Sequence, residues 1–141
     1  MKRAASLKYK DIPIGKKASF KHFISQEDVE SFARLSGDFN PLHLDEKFAG
    51  RTAFKGTIVH GMLAASLFSK AIGMYCPGRY ALILTQEIKY IRPVRPDSEV
   101  KVFCKVINKI DSVNVLIIET CIYGMDGSVL IEGVNKIKVM R

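Results

Sequence analysis

The sequence predicts an α+β domain in which a curved antiparallel sheet wraps around one long central helix. Three observations carry this prediction. Helical spacing of apolar residues dominates up to Tyr75, and beyond Pro77 the period changes to runs rich in Val, Ile and Tyr. The segment His60 to Tyr75 is apolar nearly all round, as in a helix enclosed by other elements. Four strand-like runs then follow one another across short turns, which is the pattern of an antiparallel meander.

Ala18 to Phe23 alternates weakly and reads as a first strand. Ser25-Gln26-Glu27-Asp28 opens a helix, with Ser25 capping free amides and the acids at the positive end. Val29, Phe32, Ala33 and Leu35 supply its apolar face, and Gly37 closes it in the left-handed conformation. Leu42 to Gly56 reads as irregular, with one helical turn at Glu46 to Ala49, so Asp45 and Glu46 are a helix start and not a second acid pair. Pro77-Gly78 ends the central helix. The strands are Tyr80 to Pro93, Glu99 to Ile110, Val113 to Tyr123 and Ser128 to Met140. Gly133, inside the last of them, marks a bulge or a close backbone approach. No repeat or linker divides the chain, so residues 1–141 read as one domain.

Hydrophobic residues make up 48% of the 141, enough for a sizeable core and too many for disorder. The longest apolar region, Ile58 to Tyr75, is interrupted by His60, Ser66, Ser69 and Lys70, and reads as a buried helix, not a membrane span. The basic start Met1-Lys2-Arg3 is followed by no apolar stretch, so a secretory signal is not supported. A cytoplasmic location is expected, with a short organelle-targeting remnant left open. Cys76, Cys104 and Cys121 are odd in number and lack C-x-x-C or His/Cys ligand spacing, which points to reduced thiols and no metal site. The net charge of +8 attracts anions. Its cations are scattered and no nucleic-acid motif is visible, so a nucleic-acid partner is not expected. A small phosphate-bearing ligand or an acidic carrier protein fits at least as well.

The most informative run is Ser36-Gly37-Asp38-Phe39-Asn40-Pro41-Leu42-His43. A carboxylate and an imidazole five residues apart are not neighbours on a straight helix. Pro41 lacks an amide hydrogen and disfavours helical geometry at Asn40, so the chain bends there. A bend can bring Asp38 and His43 to one point, and acid plus imidazole in a cleft can move a proton on and off water.

This run, continued by Leu44-Asp45 and followed by Ile58-Val59-His60-Gly61-Met62-Leu63, resembles the signature of MaoC-like dehydratases, in particular bacterial (R)-specific enoyl-CoA hydratases. The resemblance extends over almost the whole chain. It implies the hot-dog fold, a homodimer, and reversible addition of water to trans-2-enoyl thioesters of coenzyme A or acyl carrier protein, giving (R)-3-hydroxyacyl thioesters without metal or redox cofactor. It further implies that Asp38 and His43 hold the water and that the amide of Gly61 is the oxyanion donor. Asn40 bonds substrate or, as its turn chemistry favours, holds the loop. Ser69 matches a hydroxyl position in the family and either bonds near the pair or bonds back to its own helix. Ile72 closes the acyl tunnel or, on the stronger reading, packs in the core. His60 is expected to pack at the helix entrance, and Gln86 and Arg92-Pro93-Val94 fall near the substrate mouth without an assigned role.

Rival readings are a dehydratase of fatty-acid synthesis acting on acyl carrier protein, a hot-dog thioesterase, a non-catalytic acyl-thioester binding module and a basic nucleic-acid-binding domain. A thioesterase has no need of the G-D-x-N-P-x-H loop, and an intact Asp38/His43 pair argues against a degenerate binding module.

Overall fold

The computed structural model describes residues 2–141; Met1, first residue of the basic start, lies outside the described residues. Strand β1 (Lys17–Ile24) leads into helix α1 (Gln26–Ser36). The helix start is a reciprocal cap: Asp28 N donates to Ser25 Oγ at 3.1 Å, and Ser25 N donates to Asp28 Oδ2 at 2.8 Å. Gly37 ends the helix with φ +80°. Val29 and Ala33 are fully buried, but Leu35 is 85% exposed and does not belong to the apolar face. It lies two residues past Ala33, about 200° around the helix, and so points the other way.

Two short helices, α2 (Pro41–Leu44) and α3 (Glu46–Gly50), occupy much of the stretch expected to be irregular. Pro41 sits at the start of α2, where a missing amide hydrogen costs nothing. Asp45 caps α3 through Phe48 N at 3.0 Å, as its reading as a helix start requires.

The central helix begins at Gly61 and runs through α4 (Gly61–Ala65), α5 (Leu67–Lys70) and a π-helical turn, Ala71–Tyr75. Ser66 joins α4 to α5 in helical conformation while its Oγ donates to Leu63 O at 2.6 Å. Ala64, Phe68, Ala71 and Ile72 face the sheet at 0–1% exposure. Burying a side chain the size of Phe68 is worth about 1.5–3 kcal/mol. The helix is not wrapped on all sides, however. Met62, Ser66, Ser69 and Lys70, one helical stripe, stay exposed, because a single sheet covers one side of a helix.

The sheet contains β1, β2 (Ala81–Tyr90), β3 (Ser98–Ile110), β4 (Val115–Gly124) and β5 (Val129–Val139), in the order β1-β3-β4-β5-β2, every pair antiparallel. The expected four-strand meander is therefore correct only for β3-β4-β5. β2 pairs with β5 at the far edge, and segment 91–97 crosses about 14 Å, three strand spacings, to reach β3. Pro93 and Pro96 have no amide hydrogen for a ladder, so this segment forms no hairpin. Alternation on β3 and β4 sends Val100, Val102, Leu116, Ile118 and Ile122 into one core with the helix. Gly133 sits in regular register opposite Ile88 and Thr120, so it is a close approach and not a bulge. A Cβ there would lie 2.6 Å from Thr120 Oγ1 and 3.1 Å from Phe68 Cε2.

Candidate active site

The loop between α1 and α2 is held by its own polar side chains. Ser36 Oγ donates to Phe32 O at 2.7 Å and accepts from Asp38 N at 3.2 Å. Asp38 Oδ1 accepts from Asn40 N at 3.2 Å, and Asn40 Oδ1 caps α2 through Leu42 N at 3.0 Å. Asn40 is thus tied into the loop at both its main-chain amide and its side-chain oxygen.

His43 Nδ1 lies 2.7 Å from Ile58 O. A carbonyl only accepts, so Nδ1 carries the hydrogen and Nε2 is the nitrogen left for other work. Ile58 is itself fixed from the crossover. Arg95 donates through Nη1 to Gly56 O and Thr57 O, 3.2 Å each, and through Nη2 to Phe54 O, while Val59 N donates to Val94 O at 2.8 Å. The segment that moves β3 away from β2 therefore also anchors the orientation of His43.

Behind His43 stands His60, 2% exposed. Its Nε2 donates to the main-chain oxygen of Asp38 at 3.0 Å and lies 4.0 Å from Asp38 Oδ2. Its Nδ1 is buried with no hydrogen-bond partner. Its ring is stacked on His43 and tilted against Phe32, with centroids 3.9 and 4.9 Å away.

Donor atoms of Asp38, His43 and His60 all lie within 4.8 Å of one another. A ring nitrogen of His43 and a carboxylate oxygen of Asp38 thus lie within the roughly 4.5–5 Å that two hydrogen bonds of about 2.8 Å from one water can span. The Asp38 side chain is 51% exposed, whereas His43 is 9% exposed, so a half-open carboxylate faces a largely buried imidazole. Two imidazoles and a carboxylate are also donor types that a zinc ion takes, although His43 Nδ1 and His60 Nε2 are already committed to carbonyls.

The cavity around these groups measures about 380 Å³ and is also lined by Ser36, Gly61, Met62 and Tyr90. Gly61 opens the central helix, where first-turn amides have no acceptor within the helix. Tyr90 lies so close to it that a Cβ at position 61 would be 2.7 Å from Tyr90 Cε1. Tyr90 OH also donates to Met62 Sδ at 3.3 Å. The sequence reading missed Tyr90. The available signal was the alternation Gln86, Ile88, Tyr90, which puts all three on the inward face of β2.

Ser69 and Ile72 do not line this cavity. Ser69 is exposed on α5, and Ile72 is fully buried in the core. Gln86 Nε2 donates to Asn135 Oδ1 at 2.8 Å. All three cysteines are free and buried, and burial holds their thiols above the usual range. Among the described residues, no helix is long and apolar enough to cross a membrane.

The family model described as MaoC like domain matches residues 9–120. An (R)-specific enoyl-CoA hydratase of Aeromonas caviae is 37% identical over 91% of this chain and 96% of its own length. Two solved structures superpose closely. The unliganded R-hydratase of Pseudomonas aeruginosa has a TM-score of 0.90 and 33% identity over 96% of this chain and 87% of its own. The (R)-hydratase of A. caviae involved in PHA biosynthesis has a TM-score of 0.89 and 36% identity over 92% of this chain and 98% of its own. The hot-dog architecture expected from the sequence is the fold these structures share with this chain.

Proposed function

The chain belongs to the MaoC-like dehydratase family, and on that premise we propose that it is a hydro-lyase adding water reversibly to trans-2-enoyl thioesters, with Asp38 and His43 activating the water and the Gly61 amide stabilising the enolate oxygen. The observation that carries this reading is the 4.8 Å clustering of the Asp38 and His43 donor atoms in a cavity that Gly61 also lines.

Water between the two groups gives one hydrogen to His43 Nε2 and the other to the Asp38 carboxylate, which leaves a lone pair for C3 of the enoyl group. As the C3–O bond forms, Asp38 takes the proton and charge moves to the thioester oxygen. An amide aimed at that oxygen is worth on the order of 10²–10³ in rate. The Asp38/His43 pair then returns a proton to C2 on the same face, giving the (R)-3-hydroxyacyl thioester.

The same reading makes the protein a cytoplasmic homodimer. β2 is an edge strand with exposed Leu82 and Leu84, and the exposed helix stripe begins at Met62, a combination that suits a second copy of this chain. The purified protein is expected to hydrate crotonyl-CoA, seen as loss of enoyl absorbance, with the (R)-alcohol as product. Release of free thiol instead would favour a thioesterase, and no reaction would sink the reading. The same assay on crotonyl-acyl carrier protein ranks the two carriers.

A further inference from the structure

The backbone that ends at the acceptor of His43 is held at both polar ends of each peptide unit from Gly56 to Val59. In the unit between Ile58 and Val59, the oxygen accepts from His43 Nδ1 at 2.7 Å and the amide donates to Val94 O at 2.8 Å. In the unit before it, Thr57 O accepts from Arg95 Nη1 at 3.2 Å and Ile58 N donates to Leu42 O at 3.3 Å. In the unit between Gly56 and Thr57, the oxygen accepts from the same Nη1 at 3.2 Å, and Thr57 N donates to Glu46 Oε2 at 3.2 Å. A guanidinium therefore grips one end of that unit and a carboxylate the other. Residue 56 has no side chain to keep them off: a Cβ there would lie 3.2 Å from Glu46 Oε1 and 3.4 Å from Arg95 Nη1.

We propose that Glu46 and Arg95 are positioning residues that clamp this backbone from opposite sides and so fix the tautomer and ring angle of His43. For its effect on rate the inference rests on the hydratase reading above; its effect on the imidazole does not. Segment 54–57 consists of turns and bends, with no helix or strand ladder of its own to hold it. The clamp supplies that hold with charged partners, whose hydrogen bonds are about twice as strong as neutral ones. Without it the free peptide groups turn to water, and Ile58 O is no longer a fixed acceptor. The hydrogen of His43 then moves between the two ring nitrogens, and the form with Nε2–H cannot accept from the water beside Asp38. Glu46 and Arg95 are both exposed, and neither lines the cavity around Asp38 and His43. Their substitution therefore spares the core and reaches the chemistry only through the segment they hold.

The test has two readouts. NMR of protein labelled with ¹⁵N-histidine reports which nitrogen of His43 carries the hydrogen, and crotonyl-CoA hydration reports the rate. Wild type should show the Nδ1–H form alone. Arg95→Ala and Glu46→Ala should each admit the Nε2–H form and lower kcat about tenfold, with KM little changed. Glu46→Gln keeps an oxygen for Thr57 N and should recover most of the rate lost in Glu46→Ala. Dilute guanidinium chloride should restore kcat to Arg95→Ala by refilling the place among the carbonyls of Phe54, Gly56 and Thr57, whereas potassium chloride at the same ionic strength should not. A His43 tautomer unaltered in both alanine variants overturns the assignment, whatever the rate. So does a raised KM at constant kcat, which would place these side chains on the substrate. Wild-type protein that does not hydrate crotonyl-CoA would refute the hydratase reading, while the imidazole signals would still decide the clamp.

Discussion

The imidazoles of His43 and His60 are stacked, with centroids 3.9 Å apart and planes inclined by 29°. His60 also donates to the main-chain oxygen of Asp38, so one buried ring braces both partners of the proposed water site. This makes His60 a positioning residue. His60→Gln can keep the donor, and His60→Phe keeps the packing but loses the hydrogen bond, worth about 1 kcal/mol. The expected result is a five- to tenfold fall in kcat for His60→Phe, by the same order-of-magnitude conversion, at unchanged KM. Restoration toward wild type by His60→Gln would confirm the bond's part in it. Equal kcat in all three proteins would show that the ring merely fills space.

Asp38 and His43 should behave differently from their brace. Asp38→Asn leaves the Asx turn able to form and removes the base; His43→Ala removes the acceptor of the water's second hydrogen. Each is expected to lower kcat by at least about a hundredfold while circular dichroism and melting remain near wild type for Asp38→Asn, whose side chain is half exposed. Wild-type-like turnover in both variants would dismiss the mechanism while leaving the fold untouched.

The pair was legible in the sequence because its geometry is local: a glycine stop, an Asx turn and a proline helix start all lie within residues 37–43. The elements were legible for the same reason, since caps and alternation are short-range signals. Strand order was not. β2 and β3 are joined by a segment of turn-like composition, and that it crosses the sheet follows only from β5 pairing with β4 on one edge and β2 on the other. Long-range packing likewise hid Tyr90 against Gly61 and Arg95 behind Ile58, because neither partner sits near the other in sequence.

Alkaline pH should weaken the clasp on the N-terminal segment. Tyr9 OH donates to Asp111 Oδ1 at 2.7 Å, and Lys109 Nζ lies 4.3 Å from the Tyr9 ring centroid. Burial, and then the hydrogen bond and negative charge of Asp111, push the Tyr9 hydroxyl up to about 12. The native state therefore holds this proton more tightly than the unfolded chain, whose tyrosine titrates near 10. The contribution is complete below about pH 10 and fades as pH rises toward 12. Urea midpoints for wild type and Tyr9→Phe should differ by a constant amount up to about pH 9 and converge above pH 10. A difference that stays flat to pH 12 would rule out the linkage.

The inner face of the sheet carries one polar network, and its loss should be costly. Asn135 is 0% exposed; its Nδ2 donates to Ile118 O and Thr120 Oγ1, 3.0 Å each, and its Oδ1 accepts from Gln86. The side chain thus ties β5 to β4 and β2 directly beneath the central helix. Asn135→Ala strands these partners, of which Thr120 is itself 1% exposed, and opens a void where water has no ready path. Stranded buried groups cost about 1–3 kcal/mol each, so a total near 2–3 kcal/mol is expected, or roughly 1 M in the urea midpoint. Gln86→Ala, at the exposed end of the same network, should cost under about 1 kcal/mol, because water can replace its amide. Equal midpoints for the two variants would show that the buried end is no more demanding than the wet one.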